Sequence, residues 1–245
     1  MATCIHKPNS GPVTPDPEKL KIFPSLFLVA HRGDQEHEAE NTLAAFEAAV
    51  KAGALYIECD IQFTKDFIPV IIHDNRLEAG EVSGLELNEL PPHIPTFDAV
   101  LKWLQLSPNV TLFTEIKLPI LQRRSARSVT RTLLAMIPET VRSQVIPISM
   151  SAKLVESCSR EFDSPVGWVM ESGRTPETPF DWLFFPWQNA DQAKQWHNRG
   201  VKTVAYTVNS PEQASVLHAN GVDMIETNHF SHLQMALQKS SSTTK

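Results

Sequence analysis

Pairs of acidic and basic side chains stand where β-strands are predicted to end. Glu58 and Asp60 are two residues apart, so on a strand both side chains point to one face while Cys59 points to the other. Glu115 and Lys117 repeat this spacing in a later predicted strand. Three converging carboxylates would repel one another strongly at low dielectric, and a divalent cation with oxygen ligands would remove that cost. The spacing therefore indicates a metal site.

For one such pair alone, ordinary charged residues at strand ends are the better interpretation, because isolated motifs give false positives. The neighbouring residues change that balance. His31 and Arg32 end the first predicted strand, and His73 ends another. A lone histidine there is more often a hydrogen-bonded polar residue, and an arginine is often a surface ion-pair partner. Together, however, imidazoles that titrate near pH 7 and a guanidinium suited to phosphate indicate phosphoryl chemistry.

The predicted strands and helices that carry these residues alternate along the chain. Predicted strands cover residues 26–30, 56–63, 69–73, 110–116, 145–149, 166–170, 182–185, 202–208 and 223–226, and predicted helices cover 42–52, 96–106, 123–137, 152–160, 190–199 and 211–220. Strand-then-helix alternation is typical of a parallel sheet with helices outside. With 245 residues and 42% apolar composition, we predict an α/β fold, a TIM-type (β/α)₈ barrel. An open doubly wound sheet is the alternative.

The second predicted strand and the run after it are too close together for a crossover helix. Only residues 64–68, with a Lys-Asp-Phe turn at 65–67, separate them, whereas a parallel crossover needs about a dozen residues or more. We therefore predict an extra antiparallel β-hairpin after the second strand. With its turn centred on Asp66 and Phe67, Asp60 falls opposite His73. A carboxylate and an imidazole would then reach the same place.

Composition narrows the environment and the partners. The net charge is −6 and no long basic run occurs, which argues against nucleic-acid and anionic-membrane partners. The apolar run 22–30 is too short to span a bilayer, so no integral membrane span is predicted. The three cysteines show neither metal spacing nor an even-numbered framework, which indicates reduced thiols and a cytoplasmic location. We expect a flexible tail over 1–20, one barrel domain over 21–237 and a second flexible tail over 238–245.

Nine short motifs, in family order from residue 26 to about 230, carry a resemblance. They are His31-Arg32-Gly33, Glu40-Asn41-Thr42, Glu58-x-Asp60, Thr64-Lys65-Asp66, His73-Asp74, Ile94-Pro95-Thr96, Glu115-x-Lys117, Tyr206-Thr207-Val208-Asn209 and Gly221-Val222-Asp223. Each is weak alone, but the ordered set is specific. In these motifs the chain resembles the glycerophosphodiester phosphodiesterase family.

The resemblance implies a fold, a reaction and a set of residue roles. The family has a TIM-type barrel, and its members cleave glycerophosphodiesters into sn-glycerol 3-phosphate and an alcohol. It implies one divalent cation, Mg²⁺ or Ca²⁺, with Mn²⁺ also possible. Matching residues are Glu58, Asp60 and Glu115 for the metal, His31 and His73 for acid–base catalysis, Arg32 and Lys117 for the phosphate, and Tyr206 for an aromatic wall. Which histidine is the acid and which is the base stays open.

The chain also departs from the family pattern. Ala39 replaces a usual proline, Phe67 a glycine, Tyr206 a tryptophan and Asn228 an aspartate, and the segment 75–92 is short. Phe67 suggests a different type of hairpin turn. These changes leave the choice of alcohol open.

Other functions remain as alternatives. A lysophospholipase D would need an apolar entrance, which residues 182–187 could supply, although a buried strand explains that run equally well. A barrel that binds phosphodiesters without catalysis is another alternative, although it would not need the complete set of histidines and carboxylates. A sugar-phosphate isomerase would usually use a backbone phosphate site in late, glycine-rich loops, and this chain has few glycines there.

Overall fold

The computed structural model describes residues 27–171 and 175–242. Within these ranges the strands are β1 Leu28–His31, β2 Tyr56–Phe63, β3 Pro69–Ile71, β4 Arg76–Leu77, β5 Gly80–Glu81, β6 Thr111–Ile116, β7 Val145–Ser149, β8 Gly167–Val169, β9 Trp182–Pro186, β10 Lys202–Tyr206 and β11 Met224–Thr227. The α-helices are α1 Leu43–Lys51, α2 Phe97–Gln105, α3 Ala126–Met136, α4 Ala152–Glu161, α5 Ala193–His197, α6 Pro211–Ala219 and α7 Phe230–Ser242. Short 3₁₀ turns cover Val82–Gly84, Leu87–Glu89, Leu118–Gln122, Glu139–Gln144 and Trp187–Gln192.

Eight parallel strands close into a barrel in the order β1, β2, β6, β7, β8, β9, β10 and β11, and β11 pairs back with β1. The predicted TIM-type barrel is confirmed, and the open sheet is wrong. Among the described helices, none combines the length and the apolar character that a bilayer span requires. The predicted tail 1–20 lies outside the described residues. The domain limits stay a prediction, although α7 continues to Ser242, beyond the expected end at 237.

An antiparallel extension follows β2, as predicted. Strand β3 pairs with the end of β2, and a second small hairpin joins β4 to β5. The predicted register is wrong by one residue. The Ile61–Ile71 pairing and a 3.0 Å bond from the Ile72 amide to the Asp60 carbonyl place Asp60 opposite Ile72, not His73. Strand β3 ends at Ile71, and His73 reaches the barrel mouth from the loop beyond it.

The turn of this hairpin explains the shift in register. The Thr64 amide bonds to the Ile68 carbonyl, and the Phe67 amide bonds to the Thr64 carbonyl, so the loop is centred on Asp66 alone. Phe67 has a φ of 66°, the left-handed region that favours glycine. Its ring stacks on Phe63 at a centroid distance of 4.9 Å. Phe67 therefore takes a left-handed backbone without being glycine and adds a ring contact.

The apolar core of the barrel has two layers, and a small separate cluster of Val70, Val82 and Leu90 packs beside it. The larger layer lies between the barrel and its helices, and it includes Phe46, Phe97 and Phe230, each at most 1% exposed. The smaller one fills the barrel interior. There Phe113 meets Trp182 and Phe184 edge to face at centroid distances of 5.1 and 5.0 Å, a geometry that aromatic rings favour. These rings form an aromatic floor, above which the strands carry polar side chains.

Candidate active site

Three acidic side chains from two neighbouring strands meet above the aromatic floor. Glu58 and Asp60 come from β2, Glu115 comes from β6, and Asp60 and Glu115 are register partners. Each offers one carboxylate oxygen, and these oxygens all lie within 4.8 Å of one another. All three side chains are buried. The two strands thus build one acidic cluster at the carboxyl ends of the barrel strands, where barrel sites form.

The electrostatics of this cluster fit a cation. Burial raises the pKa of Glu58 well above its usual range and also raises the pKa of Glu115. Burial alone would raise the pKa of Asp60 as well, but Lys117 and Arg32 together hold that pKa below its usual range. Oε1 of Glu58 is buried and has no hydrogen-bond partner among the described residues. A buried carboxylate oxygen without a partner, inside a cluster of three carboxylates, suits a hard divalent cation.

Two basic side chains flank the carboxylates. Nζ of Lys117 lies 3.1 Å from Oδ1 of Asp60 and 3.3 Å from Oε1 of Glu115. Nε of Arg32 lies 3.0 Å from Oδ2 of Asp60, and its NH1 group donates to both oxygens of Glu40 at 3.0 and 2.9 Å. Both basic residues line the same cavity and carry donors suited to phosphate oxygens.

The backbone after β1 aims Arg32 into the site. Arg32 has a φ of 56° and Gly33 a φ of 87°, so the chain turns sharply. A Cβ atom at Gly33 would lie 2.7 Å from Ala45, so only glycine fits this approach to α1. Nearby, Nδ2 of the Asn41 side chain donates a 2.8 Å hydrogen bond to Oδ2 of Asp60. This contact holds the Asp60 carboxylate in place, and it gives the asparagine of the Glu40-Asn41-Thr42 motif a structural role.

His31 ends β1 with a defined tautomer. Its Nδ1 lies 2.6 Å from Oδ1 of Asn228. Because an amide oxygen only accepts hydrogen bonds, Nδ1 carries the proton and Nε2 carries the lone pair. Nε2 lies 3.9 Å from Oε2 of Glu58, on the cavity side. Burial, and then the charge of Arg32, lower the pKa of His31 to about 4. The ring is therefore uncharged at neutral pH.

His73 lies in the loop just after β3, the strand that pairs with β2. Its Nδ1 lies 2.9 Å from Oδ1 of Asp74. Its backbone carbonyl accepts a 2.7 Å hydrogen bond from Nε2 of the Gln62 side chain. His73 lines the barrel cavity and also an adjoining cavity of about 220 Å³, which contains Ile72 and Ile94 among its walls. His73 is thus a wall residue of both cavities.

The barrel cavity has a volume of about 190 Å³ and two unlike halves. The charged half consists of His31, Arg32, Glu58, Glu115, Lys117 and Glu226. The apolar half, from β7 to β10 and the residue after β7, consists of Ile148, Met150, Val169, Phe184 and Tyr206. Of the eight site residues expected from the sequence, seven line this cavity and Asp60 lies buried within the acidic cluster behind it.

Tyr206 belongs to the apolar half, and its hydroxyl is already bonded. The hydroxyl donates a 2.8 Å hydrogen bond to the Met170 carbonyl. Burial, with the carboxylates of Glu171 and Glu115, raises the pKa of Tyr206. The phenol therefore stays protonated at neutral pH and presents its ring to the cavity.

Sequence reasoning missed one functional candidate, Glu226 of β11. It is 3% exposed, and it lines the cavity beside the acidic cluster. Burial, followed by the charges of Glu115 and Asp60, raises its pKa well above the usual range. A charged residue inside the apolar run Met224–Thr227 is the signal that could have revealed it.

The fold and the site together define a TIM-type barrel with a polar, carboxylate-lined site at the carboxyl ends of its strands. The sequence model of the glycerophosphoryl diester phosphodiesterase family matches residues 31–232. The chain belongs to this family. The family assignment made from the nine motifs is confirmed.

Known proteins resemble the chain in sequence and in fold. Human glycerophosphodiester phosphodiesterase 1 is 37% identical over 117 residues, which make up 46% of this chain and 34% of that protein. The chain thus spans about a third of the length of this curated relative. The crystal structure of a glycerophosphodiester phosphodiesterase from Parabacteroides distasonis has a TM-score of 0.79 at 23% identity, covering 89% of this chain and 98% of that one.

A further solved structure shows the same barrel. It is an Oleispira antarctica phosphodiesterase in complex with the product sn-glycerol-3-phosphate, with a TM-score of 0.76 at 20% identity. The alignment covers 86% of this chain and 96% of that one. At this level of identity, the likeness establishes the fold alone.

Proposed function

We propose that this chain hydrolyses glycerophosphodiesters to sn-glycerol 3-phosphate and an alcohol with the help of a divalent cation. One observation carries the proposal: two imidazoles and two cationic side chains line one cavity of a barrel in the phosphodiesterase family, together with two members of a cluster of three carboxylates. The product complex of the Oleispira antarctica relative supports the identity of the product.

Glu58, Asp60 and Glu115 would hold the cation. Their donors are all carboxylate oxygens, a set that favours Mg²⁺, Ca²⁺ or Mn²⁺ over a closed zinc site. When bound, the cation supplies Lewis-acid polarisation of a phosphate oxygen and neutralises developing charge. Arg32 and Lys117 bind the remaining phosphate oxygens, since both line the cavity.

The two histidines divide the proton transfers. His31 is uncharged, with the unprotonated Nε2 on the cavity side, so it accepts a proton from the water that attacks the phosphorus as the bond to the alcohol oxygen breaks. His73 borders the adjoining cavity, into which the alcohol can leave, so it donates the proton to the departing oxygen. Asp74 orients the His73 ring through Nδ1. The geometry thus favours an assignment of base and acid that the sequence left open.

A substrate panel tests the proposal. The full chain is assayed with glycerophosphocholine, glycerophosphoethanolamine, glycerophosphoglycerol and lysophosphatidylcholine, each with and without chelator, and glycerol 3-phosphate is measured. We expect release from the glycerol substrates, loss in chelator and recovery with Mg²⁺, Ca²⁺ or Mn²⁺. Full activity in excess chelator would remove the metal from the proposal.

Lysophosphatidylcholine in that panel addresses the lysophospholipase D alternative. Trp182, Leu183, Phe184 and Phe185 are buried in β9, so they do not form an apolar entrance. Trp187, beyond the strand, is 37% exposed. We therefore expect little turnover of the lipid substrate. The free thiols of Cys59 and Cys158 are buried, and a cytoplasmic location stays a prediction.

A further inference from the structure

Glu226 lies beside the acidic cluster of Glu58, Asp60 and Glu115 but does not belong to it. It lies in β11, where Val29 of β1 is its register partner, and its side chain points into the barrel cavity. It is 3% exposed, and Oε1 has no hydrogen-bond partner within the described part of the chain. A buried polar group left without a partner is costly, so its place in the cavity requires an explanation.

Packing alone does not account for this residue. The neighbouring inward positions carry Val29, Val204 and Met224, all apolar and buried. An apolar side chain would fill the same layer without the cost of a carboxyl group. Metal binding is also a poor explanation, because the described residues whose ligand atoms lie within 4.8 Å of one another are Glu58, Asp60 and Glu115, without Glu226.

The shape of the cavity decides which half of a substrate Glu226 meets. With its phosphate against Arg32 and Lys117, a phosphodiester extends in two directions. One direction passes His73 into the adjoining cavity of about 220 Å³, which suits an alcohol of variable size. The other ends inside the barrel, beside Phe184 and Glu226. The enclosed end suits the smaller, constant half of the substrate.

A glycerol group at the enclosed end needs hydrogen-bond partners for its hydroxyls. Tyr206 has no donor left for them, because its hydroxyl proton is already donated to the Met170 carbonyl at 2.8 Å. Phe184 and Val169 offer only apolar contact. Oε1 of Glu226 is the polar atom on this side that lacks a partner among the described residues.

We infer that Glu226 binds a hydroxyl of the glycerol half of the substrate and thereby selects glycerol over an alkyl group. The inference rests on the proposed function and deepens it. Glu226 is a specificity residue: it contacts the substrate at a carbon chain, not at the phosphorus or the metal. Its replacement should therefore affect recognition of hydroxyls and leave phosphate and metal binding in place.

Two small ligands test this inference by calorimetry. sn-Glycerol 3-phosphate and n-propyl phosphate share a phosphate and a three-carbon chain, but only the first carries hydroxyls. Both are titrated into the Mn²⁺-saturated full chain, as wild type, Glu226→Leu, Glu226→Gln and Met224→Leu. The Mn²⁺ affinity of each protein is measured separately. Met224 is the matched control because it lies two residues earlier in β11 and faces the same interior.

We expect wild type to bind glycerol 3-phosphate about tenfold more tightly than propyl phosphate, the effect of about one good hydrogen bond. Glu226→Leu should remove this preference and leave propyl phosphate affinity within about twofold. Glu226→Gln, which keeps an acceptor and a donor, and Met224→Leu should preserve the preference to within about threefold.

Other results would overturn the inference. A Glu226→Leu protein that keeps the full preference for glycerol 3-phosphate does not use Glu226 for hydroxyl binding. A wild-type protein without any preference also contradicts it. Loss of Mn²⁺ affinity in Glu226→Leu and Glu226→Gln would make Glu226 a metal ligand instead. Because these titrations need no turnover, a failure of the proposed hydrolysis in the substrate panel is recognised separately.

Discussion

The charged half and the apolar half of the cavity differ in what they contribute to the molecule. In the charged half, Glu58 and Glu115 are buried near each other, and burial raises the pKa of both. In the apolar half, Phe184 is 1% exposed and packs edge to face on Phe113. One half keeps like charges close together at a cost in stability, and the other buries aromatic surface with a gain.

This contrast shows how the barrel separates chemistry from folding. The charged half lies above the aromatic floor, at the carboxyl ends of the strands, so its repulsion does not interrupt the packing below. Functional groups can therefore change there with little loss of stability. Changes in the apolar half should instead cost much of the stability of the fold. Variants in the two halves test that separation.

The largest effect should come from the histidines of the cavity. We expect His31→Ala and His73→Ala each to lower kcat by about 10²- to 10⁴-fold, the usual contribution of a general acid or base. The free energy of unfolding should change little. His37→Ala is the matched control, because His37 is exposed in the loop after β1. Steady-state kinetics on glycerophosphocholine measure the effect, and near-normal turnover would exclude that histidine from the mechanism.

In the apolar half, Phe184→Ala should destabilise the fold by about 3–5 kcal/mol, because it removes a buried ring and leaves a cavity. Urea unfolding of wild type and variant measures this loss. Trp187→Ala, just beyond β9 and 37% exposed, is the control and should change stability by no more than about 0.5 kcal/mol. Equal losses in the two variants would contradict the role given to the apolar half.

In the charged half, Glu58→Gln should increase stability in chelator while it reduces activity. The pKa of Glu58 is raised in the folded protein. The stability linked to its proton is therefore complete below the ordinary glutamate range and is lost as the pH rises through the raised pKa. Glutamine carries no such charge, so the advantage of the variant should grow with pH, towards about 1–3 kcal/mol.

Urea unfolding in chelator at several pH values measures this advantage. Saturating Mg²⁺ should reverse it, because the cation stabilises the ionised carboxylate of the wild type. Glu47→Gln in α1 is the control, since Glu47 lies outside the acidic cluster. A constant difference across the pH series would mean that Glu58 does not titrate as described.

The smallest effect should come from Tyr206→Phe. The hydroxyl donates to the Met170 carbonyl and not to the cavity, so turnover should stay within about tenfold, or ~1.4 kcal/mol in transition-state stabilisation. Tyr206→Ala should lose more, because the ring packs in the apolar half. Kinetics of both variants on glycerophosphocholine distinguish the ring from the hydroxyl. A phenylalanine variant as poor as the alanine variant would give the hydroxyl a catalytic role.

The two halves also differed in how far the sequence could predict them. The charged half could be anticipated, because the two-residue period of a strand places Glu58 and Asp60 on one face and parallel strands end at one mouth. The apolar half, apart from Tyr206, could not be anticipated. The run 182–185 is apolar at every position, so its pattern does not tell which side chains face the interior and which face the helices.

Other differences have local causes. The register of β2 and β3 was misjudged by one residue because Phe67 takes a left-handed backbone that sequence alone assigns to glycine. Helix α7 was not predicted, although Phe230, Leu233 and Leu237 have helical spacing and are buried. Asn228 was recognised only as a departure from the family, since its contact with His31 joins residues 197 positions apart in the chain.

The aromatic floor limits how substrate enters the site and how the products leave it. Phe113, Trp182 and Phe184 pack together in the barrel interior below the cavity. Both products must therefore leave on the side of the carboxyl ends of the strands, one of them from deeper in the barrel than the other. A product that is still bound there occupies the place of the next substrate. We therefore expect the deeper product to compete with substrate as it accumulates.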